Sequence, residues 1–281
     1  MLELAKEAGV RPAGAAPRER EAFGVLYERY ALGRLFGSLT RKLGLREVVE
    51  LPALGAKAMP SLYSHGFAVA GCQLTLVNGV EASMGLWRKL GLAARVRAVQ
   101  VPDLHATPLP SGGFDLAWNF ATFPTAEDPD ALLREMGRLS RRYVLAVSVN
   151  RGNVGFPVHR MAHRLSGVPW THGDIRFNSP ALFRRFLRDR GFAVTRWGFV
   201  DCPPWPDSLG FRDLRLHRLN VDLNAIDWDS DYFEYGRGLE LPPWIRLAWL
   251  CERLPLPRFL KSPYAHLFFV LAEKREPRRS G

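Results

Sequence analysis

The chain has 281 residues, of which 47% are hydrophobic and 24% charged, with a formal net charge of +11. That composition excludes a wholly disordered chain and suits one large α/β domain with an elaboration, or two small domains. Cys72, Cys202 and Cys251 lie too far apart for a disulfide framework or a paired CxxC zinc site.

The first twenty residues read as a loose, mixed-charge arm without a signal-peptide core. From Glu21 to Leu43, "EAFGVLYERYALGRLFGSLTRKL" has apolar residues at helical spacing, with Gly44 as a stop. Strand and helix patterns then alternate. "EVVEL" (47–51), "CQLTLV" (72–77), "ARVRAVQV" (94–101), "FDLAWNF" (114–120) and "RYVLAVSV" (142–149) read as strands. "VEASMGLWRKLGL" (80–92) and "DPDALLREMGRLS" (128–140) read as helices, the second opened by Asp and Pro. A capped helix over 178–191 follows, then strands "FAVTRWGFV" (192–200) and "AHLFFVLAEK" (265–274). Near-continuous apolar strands separated by helices predict a doubly wound, mainly parallel sheet of the Rossmann type. Ligands then bind beyond the carboxyl ends of the strands.

Two stretches carry a family likeness: an acid after a strand in "VQVPDLHATPLPSGGFDLAW", and the following helix "EDPDALLREMGRLSRR". They resemble the second half of the class I S-adenosylmethionine-dependent methyltransferases, closest in pattern to the small-molecule and quinone-biosynthesis group. The likeness covers about Arg46 to Val200 plus the last strand. It implies a seven-stranded sheet, S-adenosylmethionine as cofactor and a small, lipid-like methyl acceptor.

Carried over residue by residue, the likeness makes Glu50 the acid that opens the first cofactor loop. The family's three glycines fall on Pro52, Leu54 and Ala56, with Gly55 out of phase. Asn78 stands where an acid binds the ribose hydroxyls. Asp103, followed by Leu104, matches the acid that accepts the adenine amino group. Asn119 and Phe120 end the fourth strand, beside the acceptor. The expected organisation is N-terminal arm and helices (1–45), methyltransferase-like core (46–200), inserted lid (201–262), then the last strand and a basic tail (263–281). A second expectation stands beside the enzyme: a non-catalytic relative acting as partner subunit or scaffold, its cofactor loop having lost its glycines.

The remaining motifs have plainer readings. "VDCPPWPD" (200–207) reads as a rigid turn rather than the Pro-Pro-aromatic loop of amine-directed methyltransferases. His159 and His163 share a helix face, with His172 nearby in sequence. They read as a surface or pocket-lining pair, and no metal site is expected; one of them, or His105, is a candidate general base. "DWDSDYFEYG" (227–236) reads as a loop with capping aspartates. In "LPPWIRLAWLCERLPLPRFLKSPY" (241–264), Trp244, Leu247, Trp249 and Leu250 are expected to share a side that packs as a lid or touches a membrane surface. The spread of arginines over helix faces disfavours nucleic acid as a partner, and an RNA-directed enzyme is the weakest of the readings. A cytoplasmic protein, peripheral to a membrane at most, is the expectation.

Overall fold

The computed structural model describes residues 18–54, 61–81, 83–205, 227–230, 232 and 242–275. A seven-stranded sheet runs through the middle. Its strands are β2 (Glu47–Glu50), β3 (Gln73–Val77), β4 (Val96–Val99), β5 (Phe114–Phe120), β6 (Ser140–Val149), β7 (Phe192–Val200) and β9 (Leu267–Lys274). Their order is β4-β3-β2-β5-β6-β9-β7, with β9 antiparallel to both of its neighbours and the other pairs parallel. Strands β5 and β7 begin and end at the residues expected from alternation and turn signals.

Successive side chains of each central strand enter two different cores. From β6, Tyr143, Leu145 and Val147 pack on one face, and Val144 and Ala146 on the other. β9 does the same with Leu267, Phe269 and Leu271 against Phe268, Val270 and Ala272. That two-sided burial explains their unbroken apolar sequence.

The first core is covered by α1 (Phe23–Leu43), α2 (His65–Val69) and α3 (Ser83–Lys89). Helix α1 ends on Gly44, whose φ of 66° is the left-handed cap that glycine adopts cheaply. α1 and α2 touch backbone to backbone: a Cβ on Gly66 would lie 2.5 Å from the Cα of Gly33.

The second core is covered by α4 (Pro129–Leu139) and α6 (Pro180–Asp189). The Asp128 carboxylate accepts from the Ala131 N–H, and the Ser179 hydroxyl from the Leu182 N–H. Leu132, Leu133, Met136 and Leu139 form the buried stripe of α4. The motif that carried the family likeness has a structural reason. Glu135 accepts from the N–H and hydroxyl of Thr107, at 2.9 and 2.6 Å. Arg138 donates to Leu109 O, Thr107 O and Ser111 Oγ. Together they staple the loop before β5 onto α4.

Two expectations are corrected here. Residues 18–20 and 227–229 are not arm and loop but short parallel strands, β1 (Arg18–Arg20) and β8 (Asp227–Asp229). Paired extended backbone satisfies itself in a way that neither composition signalled. Residues 1–17, 231 and 233–236 lie outside the described residues.

Helix α7 (Pro243–Arg253) is present, but its buried face is not the expected one. Ile245 and Ala248 are fully packed and Glu252 points inward, while Leu247 and Leu250 face out and Trp244 is partly exposed. Of the expected four, Trp249 packs edge-on against Tyr30 at 5.3 Å, and Trp244 edge-on against Phe23 and Trp205 at 6.1 and 6.0 Å. The physical reason is polar: the Glu252 carboxylate accepts from Tyr27 Oη (3.2 Å) and Cys202 N (2.7 Å), which fixes the rotation of α7 against α1. Helix α8 (Arg258–Lys261) follows. Of the turn expected at 200–207, residues up to Trp205 are described, with Trp205 packed on Phe23 and Tyr27.

Candidate functional site at the carboxyl edge of the sheet

The carboxyl ends of β2, β3, β4, β5 and β7 make one ridge. Three non-glycine residues there adopt left-handed backbone directly after a strand: Asn78 (φ 54°) after β3, Ala121 (φ 51°) after β5 and Asp201 (φ 62°) after β7. A fourth, Ser61 (φ 60°), braces the ridge from below. Such conformations cost on the order of 1–3 kcal/mol each and collect where a site demands them.

Glu50 closes β2 but does not face the ridge. It is 1% exposed, and its Oε2 accepts from Ser64 Oγ at 2.6 Å; Ser64 Oγ in turn accepts from Trp118 Nε1 at 2.9 Å. Its other oxygen has no hydrogen-bond partner. Burial pushes the carboxyl up to about 8, against the pull of the Ser64 hydrogen bonds and the Arg29 charge. At neutral pH Glu50 is thus a neutral acid in the core. Pro52, in a cis peptide, is buried, and the next N–H, that of Ala53, is spent on Val77 O at 2.7 Å. Leu54 is exposed; Gly55 and Ala56 lie outside the described residues.

Asn78 is a clamp. Its Nδ2 donates to Val101 O at 3.1 Å and its Oδ1 accepts from Val101 N at 2.7 Å, tying the end of β3 to the chain leaving β4. Around it, Ser61 Oγ donates to Ala53 O (2.5 Å) and accepts from Val80 N (2.8 Å). The Trp87 indole N–H donates to Ser61 O at 3.0 Å.

Asp103 is exposed at the ridge. Its Oδ1 accepts from His105 N at 2.7 Å, with the His105 ring 3.3 Å away. Leu104 packs on the second core. Asn119 is wholly buried and faces α4, where its Nδ2 sits 3.3 Å from Met136 Sδ and its Oδ1 has no hydrogen-bond partner. Phe120 is stacked by Tyr63 at 4.1 Å.

Beside the ridge, beneath α1, lies a buried polar cluster that the sequence reading did not anticipate. His266 Nδ1 is 2.8 Å from Asp201 Oδ2 and 3.2 Å from Glu28 Oε2, and all three residues are buried. The Arg29 guanidinium bonds Glu21 at 3.1 Å and lies over the ring of Tyr63 at 4.7 Å and of Tyr232 at 5.6 Å. Burial alone would lower Arg29; the Glu21 carboxylate and its hydrogen bond outweigh it and hold the guanidinium ionised. Burial, with Glu28 alongside, raises the Tyr63 phenol well above its ordinary range. Tyr232 hydrogen-bonds His65. The only local signal in the sequence was the pair Glu28-Arg29 inside an apolar helix.

His159 and His163 are not on the surface. Both are buried on α5 (Gly155–Ser166), and His172 joins them from the following loop. His105 is partly exposed on the Asp103 loop, next to the ridge rather than near them in sequence.

A sheet in the order β4-β3-β2-β5-β6-β9-β7, with one antiparallel strand inserted beside the edge and helices on both faces, is the class I methyltransferase fold, a Rossmann-like architecture. The comparisons agree. Residues 58–144 match the family model described as a methyltransferase domain. Magnesium protoporphyrin IX methyltransferase of Synechocystis, solved with bound S-adenosylhomocysteine, is 14% identical with a TM-score of 0.51, covering 89% of this chain and 84% of that one. The YcgJ protein of Bacillus subtilis is 14% identical with a TM-score of 0.50, covering 88% and 99%. No curated protein matches the sequence significantly.

Proposed function

We propose that the protein is an S-adenosylmethionine-dependent methyltransferase acting on a small, lipid-like acceptor. The observation that carries the reading is the ridge: Asn78, Ala121 and Asp201 hold left-handed backbone directly after three strands of a class I methyltransferase sheet. The domain match over 58–144 supports it, since that segment takes in β3, β4, β5 and α4 and ends within β6. Bound there, the cofactor would supply an electrophilic methyl group.

The described residues fit that cofactor in part. Asp103 presents an exposed carboxylate where an adenine amino group would donate. Asn78 Oδ1 keeps one lone pair beyond its bond to Val101 N. Glu50 does not fit, because its carboxyl is sealed in the core. Tyr63 and Phe120 stack on each other, buried, at the end of β5. The Asp201–His266–Glu28 cluster lies at the start of β9, where a proton from an acceptor could be held.

The lipid-like acceptor and a peripheral membrane contact through 241–264 are supported by one surface. Leu247, Leu250, Leu254, Phe259 and Leu260 of α7, α8 and their junction are all exposed, and Arg246, Arg253 and Arg258 are interleaved with them. Apolar side chains that enter the acyl boundary beside cations that meet phosphate headgroups suit an anionic bilayer surface. Among the described residues no helix is long and apolar enough to cross a membrane.

A non-catalytic partner or scaffold is the second reading, favoured by the sealed Glu50 and by Pro52, which has no N–H to offer. Calorimetric titration with S-adenosylmethionine and S-adenosylhomocysteine separates the two. Saturable heat that shrinks in Asp103→Asn supports the enzyme. Neither heat nor thermal stabilisation at millimolar ligand overturns it.

A further inference from the structure

The imidazoles of His159, His163 and His172 converge. His163 Nε2 lies 3.0 Å from His159 Nε2 and 3.3 Å from His172 Nε2, and the three ligand atoms all fall within 4.8 Å of one another. Two zinc–nitrogen bonds of about 2.0–2.1 Å at a tetrahedral angle place their nitrogens roughly 3.3 Å apart. Both separations from His163 Nε2 are close to that spacing.

The tautomer agrees. His163 Nδ1 faces the backbone carbonyls of Val168 (3.1 Å) and Pro169 (3.0 Å). A carbonyl only accepts, so Nδ1 carries the proton and Nε2 presents its lone pair to the centre. A backbone carbonyl on the far nitrogen is the usual outer-shell partner of a metal-bound histidine. Without a cation, two neighbouring imidazole nitrogens compete for that single lone pair; a cation accepts lone pairs from all three.

The surroundings are built rather than incidental. His159 and His163 sit one turn apart on α5, so their rings share a face. His172 is brought in by a loop locked to the chain leaving β5: Asp174 N donates to Pro124 O at 2.7 Å, and a Cβ on Gly173 would lie 1.9 Å from that same oxygen. Trp170 closes the side, its ring 4.6 to 5.6 Å from each imidazole and its indole N–H on Gly173 O at 3.1 Å.

We infer that His159, His163 and His172 form a binding site for a divalent transition metal of the zinc class, held by three imidazole nitrogens with the fourth position left to water. The reading is independent of cofactor binding. Three neutral nitrogens without a carboxylate suit zinc rather than magnesium or calcium, which prefer oxygen.

The test uses the full chain, stripped of metal, titrated with zinc against a chromophoric chelator. One zinc per chain is expected. Cobalt in its place should give the visible bands of a four-coordinate centre, and X-ray absorption should place three nitrogens at about 2.0–2.1 Å. His163→Gln and His172→Gln should each weaken zinc by more than about 100-fold, beyond what a change in an outer-shell partner costs. Cys251→Ser, which removes a partly exposed thiol, should leave binding unchanged. His172 lies on a partly exposed loop, so its variant tests the site even where His163→Gln fails to fold. Absence of stoichiometric zinc overturns the inference. So does wild-type affinity in His172→Gln, or loss of zinc in Cys251→Ser.

Discussion

Replacing Glu50 with Gln tests whether that residue is a core acid or a ligand. The carboxyl is pushed up to about 8 from an ordinary value of 4.5, chiefly by burial. A carboxyl whose folded value is raised contributes stability that is full below pH 4.5 and is lost as pH rises to 8. Each unit is worth about 1.36 kcal/mol. The loss therefore grows through pH 7 and levels off above pH 8 at roughly 3–5 kcal/mol. A glutamine of the same shape keeps an acceptor for Ser64 Oγ and has nothing to ionise. Urea unfolding at pH 5, 7 and 9 gives the readout. The variant should gain on the wild type as pH rises, by roughly 2–5 kcal/mol between pH 5 and 9. S-adenosylmethionine affinity should be unchanged. Parallel pH profiles for the two proteins, or a variant that loses the cofactor, would refute the assignment of Glu50 to the core.

Asp103→Asn removes a charged acceptor that is more than half exposed, so the expected loss is about tenfold in S-adenosylmethionine affinity by calorimetry, with little change in melting temperature. Leu247→Glu combined with Phe259→Glu should abolish co-flotation with phosphatidylglycerol vesicles while leaving the fold intact by circular dichroism. Wild-type flotation that is equally strong on neutral vesicles would contradict the role given to Arg246, Arg253 and Arg258. Gly66→Ala forces a methyl group into the backbone of α1 and should cost about 1–3 kcal/mol in urea unfolding.

Much of the scaffold was legible because its signals are local. Strands β5 and β7 are bounded by turns and by Gly191, and α4 opens on an Asp-Pro pair that caps it. The family likeness was legible for a related reason: "LPSGG" and "LREMGR" are one staple, made by Glu135 and Arg138 within 31 residues of their partners. What was not legible depends on partners remote in sequence. The rotation of α7 is set by Glu252 meeting Tyr27, 225 residues away, and tryptophans that suit either a core or an interface could not reveal it. Asp201, His266 and Glu28 are ordinary residues until topology brings three segments together. His172 had a visible neighbourhood in sequence, but its approach to α5 depends on a loop pinned by Pro124.

The contact between Gly33 and Gly66 reaches beyond packing. It is a register mark between the N-terminal helix and the helix that follows the first loop. One turn before Gly33, α1 delivers Glu28 and Arg29; the residues just ahead of Gly66 are Tyr63, Ser64 and His65. Two helices that meet without side chains between them leave no room to slide. The buried polar cluster and the chain that enters α2 are thereby dimensioned from a common origin. Any rearrangement around them is confined to pieces that this joint does not hold.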